Sequence, residues 1–307
     1  MDAASVRAVK ILSTHRFPGP AWSELRDVEV GPFGELREDV EAIVVANERV
    51  DEAVLDLFPS LRLVADYSVG YDQIDVDACR ARGIAVTNTP GVLDAATADL
   101  AFALLLAVRR RVVEGDDFVR TAQWDARWSR GPFVGREVSG STLGIVGLGR
   151  IGRALARRAV GFDMRVVYTQ RTRVEASELE YRTLDDLLPE VDVVSIHAPL
   201  TPETRGLISR ERLALLRDGA TLVNTARGGL VDEAALVDEL VSGRISAGLD
   251  VFEHEPSVPQ ALLGLPNVVL TPHLGSATVE ARAAMTRVVV DNLLAAERGE
   301  PLLTPVG

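Results

Sequence analysis

The sequence predicts an α/β protein made of two doubly wound parallel-sheet halves, and three observations lead there. The chain has 307 residues, twice the ~150 of an ordinary domain. Short β-branched runs alternate with amphipathic helical stretches, the rhythm of βαβ units. One apolar run passes directly into the glycine-rich turn Gly147-Leu148-Gly149-Arg150-Ile151-Gly152, which opens a helical pattern.

In chain order, Val9–Leu12, Ala42–Ala46, Leu61–Ala65 and Ile84–Val86 read as strands, each followed by turn residues or an amphipathic stretch. From Ala95 to about Arg120 the pattern is helical and free of Gly and Pro until Gly115. Its apolar run is nearly continuous, so the helix is expected between layers. A loop rich in Trp, Arg, Gly and Pro spans Trp124 to Gly140. The second series starts at Thr142, with strands at Leu143–Val146, Arg165–Tyr168, Val191–Ile196, Ala220–Asn224, Ala247–Val251 and Val268–Leu270. Helix starts are expected at Thr201, with Pro202 in the first helical position, and at Asp232, whose helix stops at Gly243.

Composition excludes several functions. Lys10 is the only lysine, so neither a Schiff-base enzyme nor a Gly-Lys-Ser/Thr phosphate loop can be built elsewhere. A net charge of −12 opposes non-specific nucleic-acid binding. Cys79 is the only cysteine; with no intramolecular disulfide possible, it reads as a buried thiol in a reducing compartment. Leu100–Val108 is nine residues long, against the ~18 that would span a bilayer. Met1–Arg7 lacks a signal-peptide core. A soluble, cytoplasmic protein without a metal is the expectation.

The glycine-rich turn gains specificity from its setting. After a strand and before a helix, the first glycine makes the turn and the second admits backbone N–H groups to a pyrophosphate. The third lets helix and strand pack closely. The next strand, Arg165–Tyr168, should end beside the adenosine ribose, where NAD enzymes place Asp or Glu. Here stand Thr169, Gln170, Arg171, Thr172 and Arg173, with no acid before Glu175. Gly147 to Arg173 holds seven arginines and one acid, Asp163. Arg153, Arg157 and Arg158 read as a solvated helix face. Arg171, supported by Arg173, can donate charge-assisted hydrogen bonds to a 2′-phosphate. NADPH is therefore the expected cofactor, with NADH as the weaker alternative.

Ligands of open parallel sheets bind beyond the carboxyl ends of the strands. Those ends bring His197, then Thr225-Ala226-Arg227, then Asp250 with Glu255-Pro256, then Thr271-Pro272-His273 and Gly275. Arg, Glu and His on one rim suit hydride transfer to a 2-keto acid. Arg227 offers a planar fork to the carboxylate. His273 can protonate the carbonyl, and Glu255 beside it favours the imidazolium. His197 either caps its strand or faces the cofactor. His15 and His254 read as surface loop residues.

These residues carry a family resemblance over almost the whole chain. The matching segments are Ser68-Val69-Gly70-Tyr71-Asp72, Thr87-Asn88-Thr89-Pro90-Gly91, Gly147–Gly152, His197-Ala198-Pro199-Leu200-Thr201 and Asn224-Thr225-Ala226-Arg227-Gly228. They continue with Gly248-Leu249-Asp250-Val251-Phe252, Glu255-Pro256 and Thr271-Pro272-His273. The chain resembles the D-isomer-specific 2-hydroxyacid dehydrogenases. Tyr168-Thr169-Gln170-Arg171 and Gly299-Glu300-Pro301-Leu302 are most similar to the NADPH-using glyoxylate/hydroxypyruvate reductases and the hydroxyphenylpyruvate reductases. Relatives of other activity differ: formate dehydrogenases pair the histidine with glutamine, and phosphoglycerate dehydrogenases usually carry an acid where Gln170 stands. The family's corepressor relatives supply a second class, a dinucleotide-sensing binding protein.

The resemblance implies Rossmann/flavodoxin-like domains with a cleft between them, residues 1–96 plus 276–307 for substrate and 97–275 for cofactor. It implies that Arg227 holds the substrate while His273 donates the proton, paired with Glu255. Val69 and Gly70 would bind the carboxylate through their N–H groups. Gly149, Arg150 and Ile151 would hold the pyrophosphate, Asp250 would meet the nicotinamide, and Thr225, Pro199 and Gly275 would line its pocket. A homodimer is implied, formed by the long helix and the Trp124–Gly131 loop. The family's interfacial tryptophan is not assigned here, because Trp124 and Trp128 stand four apart.

Overall fold

A computed structural model describes residues 9–124, 133–174 and 178–306. Trp128 and the loop through Gly131, Glu175, and the Met1–Arg7 segment lie outside the described residues. The chain forms two compact units, Met1–Leu93 with Ser276–Gly307, and Asp94–Gly275.

In the first unit, β1 (Ile11–Ser13), β2 (Val28–Val30), β3 (Ala42–Val45), β4 (Leu63–Asp66) and β5 (Ala85–Thr87) are accompanied by α1 (Glu52–Leu55) and α2 (Val76–Ala81). The strands form one parallel sheet in the order β2-β1-β3-β4-β5. All four residues of both β3 and β4 are buried, as expected for central parallel strands covered on both faces. The pairings Ser13↔Val44, Val45↔Asp66 and Ala65↔Thr87 bring the strands' carboxyl ends to one rim. β2 was not predicted. It is a three-residue edge strand with no buried residue, too short to show a period.

The second unit opens with α3 (Asp94–Arg109) and α4 (Val112–Arg120), where the sequence predicts one helix. Arg111 adopts φ 55° and breaks it. The break follows Arg109, which is buried and donates to the Glu137 and Asp192 carbonyls. These long-range partners leave no periodic trace. Then come β6 (Thr142–Val146), α5 (Arg150–Val160), β7 (Arg165–Thr169), β8 (Glu180–Tyr181), α6 (Leu184–Leu187), β9 (Val193–Ile196) and α7 (Arg210–Leu215). They are followed by β10 (Thr221–Asn224), α8 (Glu233–Val241), β11 (Ser246–Leu249) and β12 (Val268–Leu270). No helix starts at Thr201. That stretch is a turn, with Thr201 N–H donating to Thr204 Oγ1 and Gly206 at φ 62°, and the helix begins instead after the Ser209 cap. The cap at Asp232 stands as predicted, accepting from the Ala235 N–H.

This parallel sheet has the order β12-β11-β10-β9-β6-β7-β8. The chain builds outward from β6 in both directions, so the switch point lies between β6 and β9. The chain closes on the first unit with α9 (Val279–Arg298), capped by Thr278. Among the described residues no helix is long and apolar enough to cross a membrane.

Candidate active site

The glycine-rich turn leaves β6 at the switch point. Gly147 has φ 98°, and a Cβ there would stand 2.6 Å from the His197 carbonyl oxygen at the end of β9. Only glycine satisfies both the backbone angle and the approach. Gly149 is the N-cap of α5 and provides no side-chain cap, so the first N–H groups of that helix remain open to an anion. Nothing stands within 4 Å of a Cβ built at Gly149. Arg150, Ile151 and Gly152 form the first turn behind it. At the end of β10 the buried Thr225 hydroxyl has no hydrogen-bond partner among the described residues. An anion-ready helix start and an orphaned hydroxyl on the same sheet fit a dinucleotide.

Gln170 follows β7, and its Oε1 accepts the Leu148 N–H at 3.0 Å. With the carbonyl occupied by the turn, its amide NH₂ is the end left to face a ligand. Arg171, Thr172 and Arg173 are exposed, and the charge of Arg171 reaches the Glu203 carboxyl. His197 lies 2.9 Å from the Ser195 hydroxyl. Burial pushes its imidazole down to about 4, so it is neutral near pH 7. Pro199 is exposed, and its carbonyl accepts from Thr204.

The acid–base residues meet at the ends of the next strands. Asn224 closes the turn after β10: its Nδ2 donates to the Arg227 carbonyl at 2.8 Å and its Oδ1 accepts the Ala226 N–H at 3.0 Å. A Cβ at Gly228 would overlap the Phe252–Glu253 backbone, so the Arg227 turn packs directly on the loop that carries Glu255. The Phe252 N–H donates to Glu255 Oε1 at 3.1 Å, and Glu255 Oε2 lies 2.8 Å from His273 Nδ1. Burial by itself would raise the Glu255 carboxyl. The His273 hydrogen bond and charge, the Phe252 N–H and the charge of Arg227 outweigh it and hold the group below its ordinary value.

His273 has φ 55°, a conformation that costs of order 1–3 kcal/mol for a residue with a side chain. Asp250, fully buried, organises that turn. Its carbonyl accepts the His273 N–H at 2.9 Å. Its carboxylate accepts from the Thr271 hydroxyl (2.6 Å), the Leu274 N–H (2.7 Å) and the Gly275 N–H (2.8 Å). Burial raises the Asp250 carboxyl; those three donors and the charge of His273 oppose the rise.

In the first unit, the loop after β4 is held by side chains around it. Asn88 Nδ2 donates to the Val69 carbonyl at 2.9 Å, and the Ser68 hydroxyl donates to Asp66 and to the Gly70 carbonyl. Asn88 and Asn224 are the positioning residues that sequence reasoning passed over. An asparagine opening a tight turn is the signal for Asn224; Asn88 acts across nineteen residues and has no local signal. His15 and His254 are exposed.

A parallel sheet with this turn at its switch point, and with arginine, histidine and a carboxylate at neighbouring strand ends, defines a dinucleotide-dependent oxidoreductase. Residues 102–275 match the NAD binding domain of the D-isomer specific 2-hydroxyacid dehydrogenases. The glyoxylate reductase of Pyrococcus furiosus is 51% identical over 293 residues, covering 92% of this chain and 87% of that one. The NADPH-dependent glyoxylate/hydroxypyruvate reductase of Sinorhizobium meliloti, solved with NADP and malonate, superimposes with a TM-score of 0.89 at 39% identity, over 97% of each chain. A Thermus thermophilus protein reaches a TM-score of 0.91 at 46% identity, covering 97% of this chain and all of that one. This chain belongs to the D-isomer specific 2-hydroxyacid dehydrogenase family.

Proposed function

We propose that the protein is an NADPH-dependent reductase of small 2-keto acids, glyoxylate and hydroxypyruvate, giving the D-hydroxy acid from the latter. The observation that carries the reading is the His273–Glu255 pair at 2.8 Å, close enough to Arg227 for its charge to act on the same carboxylate. The glyoxylate reductases at about half identity support the substrate class. The unit Asp94–Gly275 takes the cofactor role and the other unit the substrate role.

The cofactor, when bound, supplies the hydride. Gly149, Arg150 and Ile151 receive its pyrophosphate through the open N–H groups of α5. Thr225, Pro199, Asp250, Gly275 and the neutral His197 border the nicotinamide. Gln170, through its amide NH₂, and Arg171, Thr172 and Arg173 receive the 2′-phosphate. Arg227 donates to the substrate's carboxylate and carbonyl oxygen, and the N–H groups of Val69 and Gly70 receive the carboxylate. His273 Nε2 gives its proton to the carbonyl oxygen as negative charge develops there, while Nδ1–H remains donated to Glu255. Exposed Val112, Val113 and Val119 on α4, with Trp124 beyond it, suit a homodimer interface. The buried free thiol of Cys79 suits the cytoplasm.

The test is steady-state turnover across a keto-acid panel, from glyoxylate to hydroxyphenylpyruvate, with NADPH and with NADH. Absence of turnover on every acid would replace this reading with a dinucleotide-binding protein. A kcat/KM for NADH equal to or above that for NADPH would refute the cofactor preference.

A further inference from the structure

The sheet of the first unit ends on β5, and residues 304–306 cover that edge. Pro305 pairs with Thr87 as an antiparallel bridge, and the Val306 N–H donates to the Val86 carbonyl at 2.8 Å. The Val306 side chain packs against the core of the unit. Covering an open strand edge accounts for those contacts, but not for what Thr304 does beside them.

Asn292, fully buried on α9, holds this segment. Its Oδ1 accepts the Leu303 N–H at 2.9 Å and the Thr304 N–H at 3.2 Å, and its Nδ2 donates to Thr304 Oγ1 at 3.0 Å. Receiving that bond orients the Thr304 hydroxyl, whose own proton goes to the Asn88 carbonyl at 2.7 Å. The Asn88 N–H returns to the Thr304 carbonyl at 3.3 Å. Asn88 is thus gripped at both its carbonyl and its N–H by one residue, and its side chain donates to the Val69 carbonyl at 2.9 Å. The Thr89 N–H donates to the Ser68 carbonyl at 2.8 Å. The peptide units that carry these two carbonyls are trans, so in each the C=O and the N–H point in opposite directions. With both carbonyls held by residues 88 and 89, the Val69 and Gly70 N–H groups are turned away from that segment. Successive N–H groups presented in this way make an anion cradle.

We propose that Thr304 is a positioning residue for the substrate carboxylate, acting through Asn88 on the Ser68-Val69-Gly70 loop. This rests on the reading above, in which the Val69 and Gly70 N–H groups receive that carboxylate. The Thr304 hydroxyl can be removed while its segment stays in place, because Asn292 Oδ1 and β5 keep hold of the backbone. A purely structural hydroxyl would affect stability and leave substrate affinity unchanged.

The experiment measures KM and kcat for glyoxylate, KM for NADPH and thermal unfolding in the wild type, Thr304→Val and Thr304→Ser. Valine keeps the shape and removes the hydroxyl; serine restores it. A neutral hydrogen bond corresponds to roughly two- to tenfold in affinity. A carboxylate held equally in the ground and transition states acts on KM and spares kcat. Thr304→Val should therefore raise KM for glyoxylate by roughly three- to tenfold, with kcat and KM for NADPH within about twofold of wild type. Thr304→Ser should bring the glyoxylate KM back to within about twofold. A rise of less than about threefold in Thr304→Val, whatever the unfolding temperature, overturns the inference, as does an equal rise in KM for NADPH. If Thr304→Val does not fold, the same measurements on Thr304→Ala decide it. Wild-type protein that turns over no keto acid refutes the proposed function itself, an outcome separate from an unchanged KM.

Discussion

Replacing Glu255 by glutamine keeps size and shape, and it changes which nitrogen of His273 carries the proton. In the native site both acceptor oxygens are engaged, Oε1 by the Phe252 N–H at 3.1 Å and Oε2 by His273 Nδ1 at 2.8 Å. In Glu255→Gln the amide oxygen must stay with the Phe252 N–H, because an NH₂ there would oppose donor to donor. The amide nitrogen then faces Nδ1 and requires it unprotonated, which leaves a neutral ring with its proton on Nε2. The imidazolium that is to protonate the substrate loses a charge-assisted hydrogen bond, about 1.5–3 kcal/mol. At ~1.36 kcal/mol per decade, that is roughly 10- to 150-fold in kcat, which only just reaches the lower end of the roughly 10²–10⁴ supplied by general acid catalysis. The two side chains are 36% and 33% exposed, so solvent screening favours the lower part of this range. The assay is steady-state reduction of glyoxylate with NADPH, with thermal unfolding to confirm an intact fold. A kcat within about threefold of wild type corresponds to less than 1 kcal/mol and would refute the proton-donor assignment.

Other predictions follow from the same geometry. Arg171→Ser should raise KM for NADPH by about tenfold while leaving that for NADH nearly unchanged, the loss of one charge-assisted contact; equal shifts for both would remove Arg171 from the phosphate site. Asp250→Ala strands the Leu274 and Gly275 N–H groups, at ~1–3 kcal/mol for each buried donor; urea unfolding should show the lost stability, and kcat should fall as His273 leaves its turn. The depressed value of His197 makes stability pH-dependent. The unfolded imidazole, near 6.5, takes up a proton before the folded one, near 4, so stability is full above ~6.5 and declines as pH falls toward 4. Between pH 7 and pH 5 the decline should be about 2 kcal/mol and be absent in His197→Asn, as read by urea unfolding.

The parts of the site that were legible in the sequence are those set by local chemistry. A Gly-x-Gly-x-x-Gly turn between strand and helix announces its function because turn, close approach and packing each demand glycine within six residues. Arg227, Glu255 and His273 stood out because strand ends are marked by where apolar runs stop. β2 and β8, with three and two residues, were invisible because a period needs length. The single long helix failed at Arg111, where partners of Arg109 some thirty to eighty residues away decide the break.

By itself, then, the sequence determined the parallel α/β order, the glycine-rich turn, and an acid, a base and an arginine at successive strand ends. These follow from periodicity and backbone sterics, which act between near neighbours. Tertiary structure decided how each group is used. It turned the Gln170 carbonyl toward the Leu148 N–H, buried Asp250 beneath the His273 turn, and laid Arg282 over the ring of Tyr67. Those outcomes depend on desolvation and on which partner stands within hydrogen-bond reach, and both are properties of packing between residues distant in the chain.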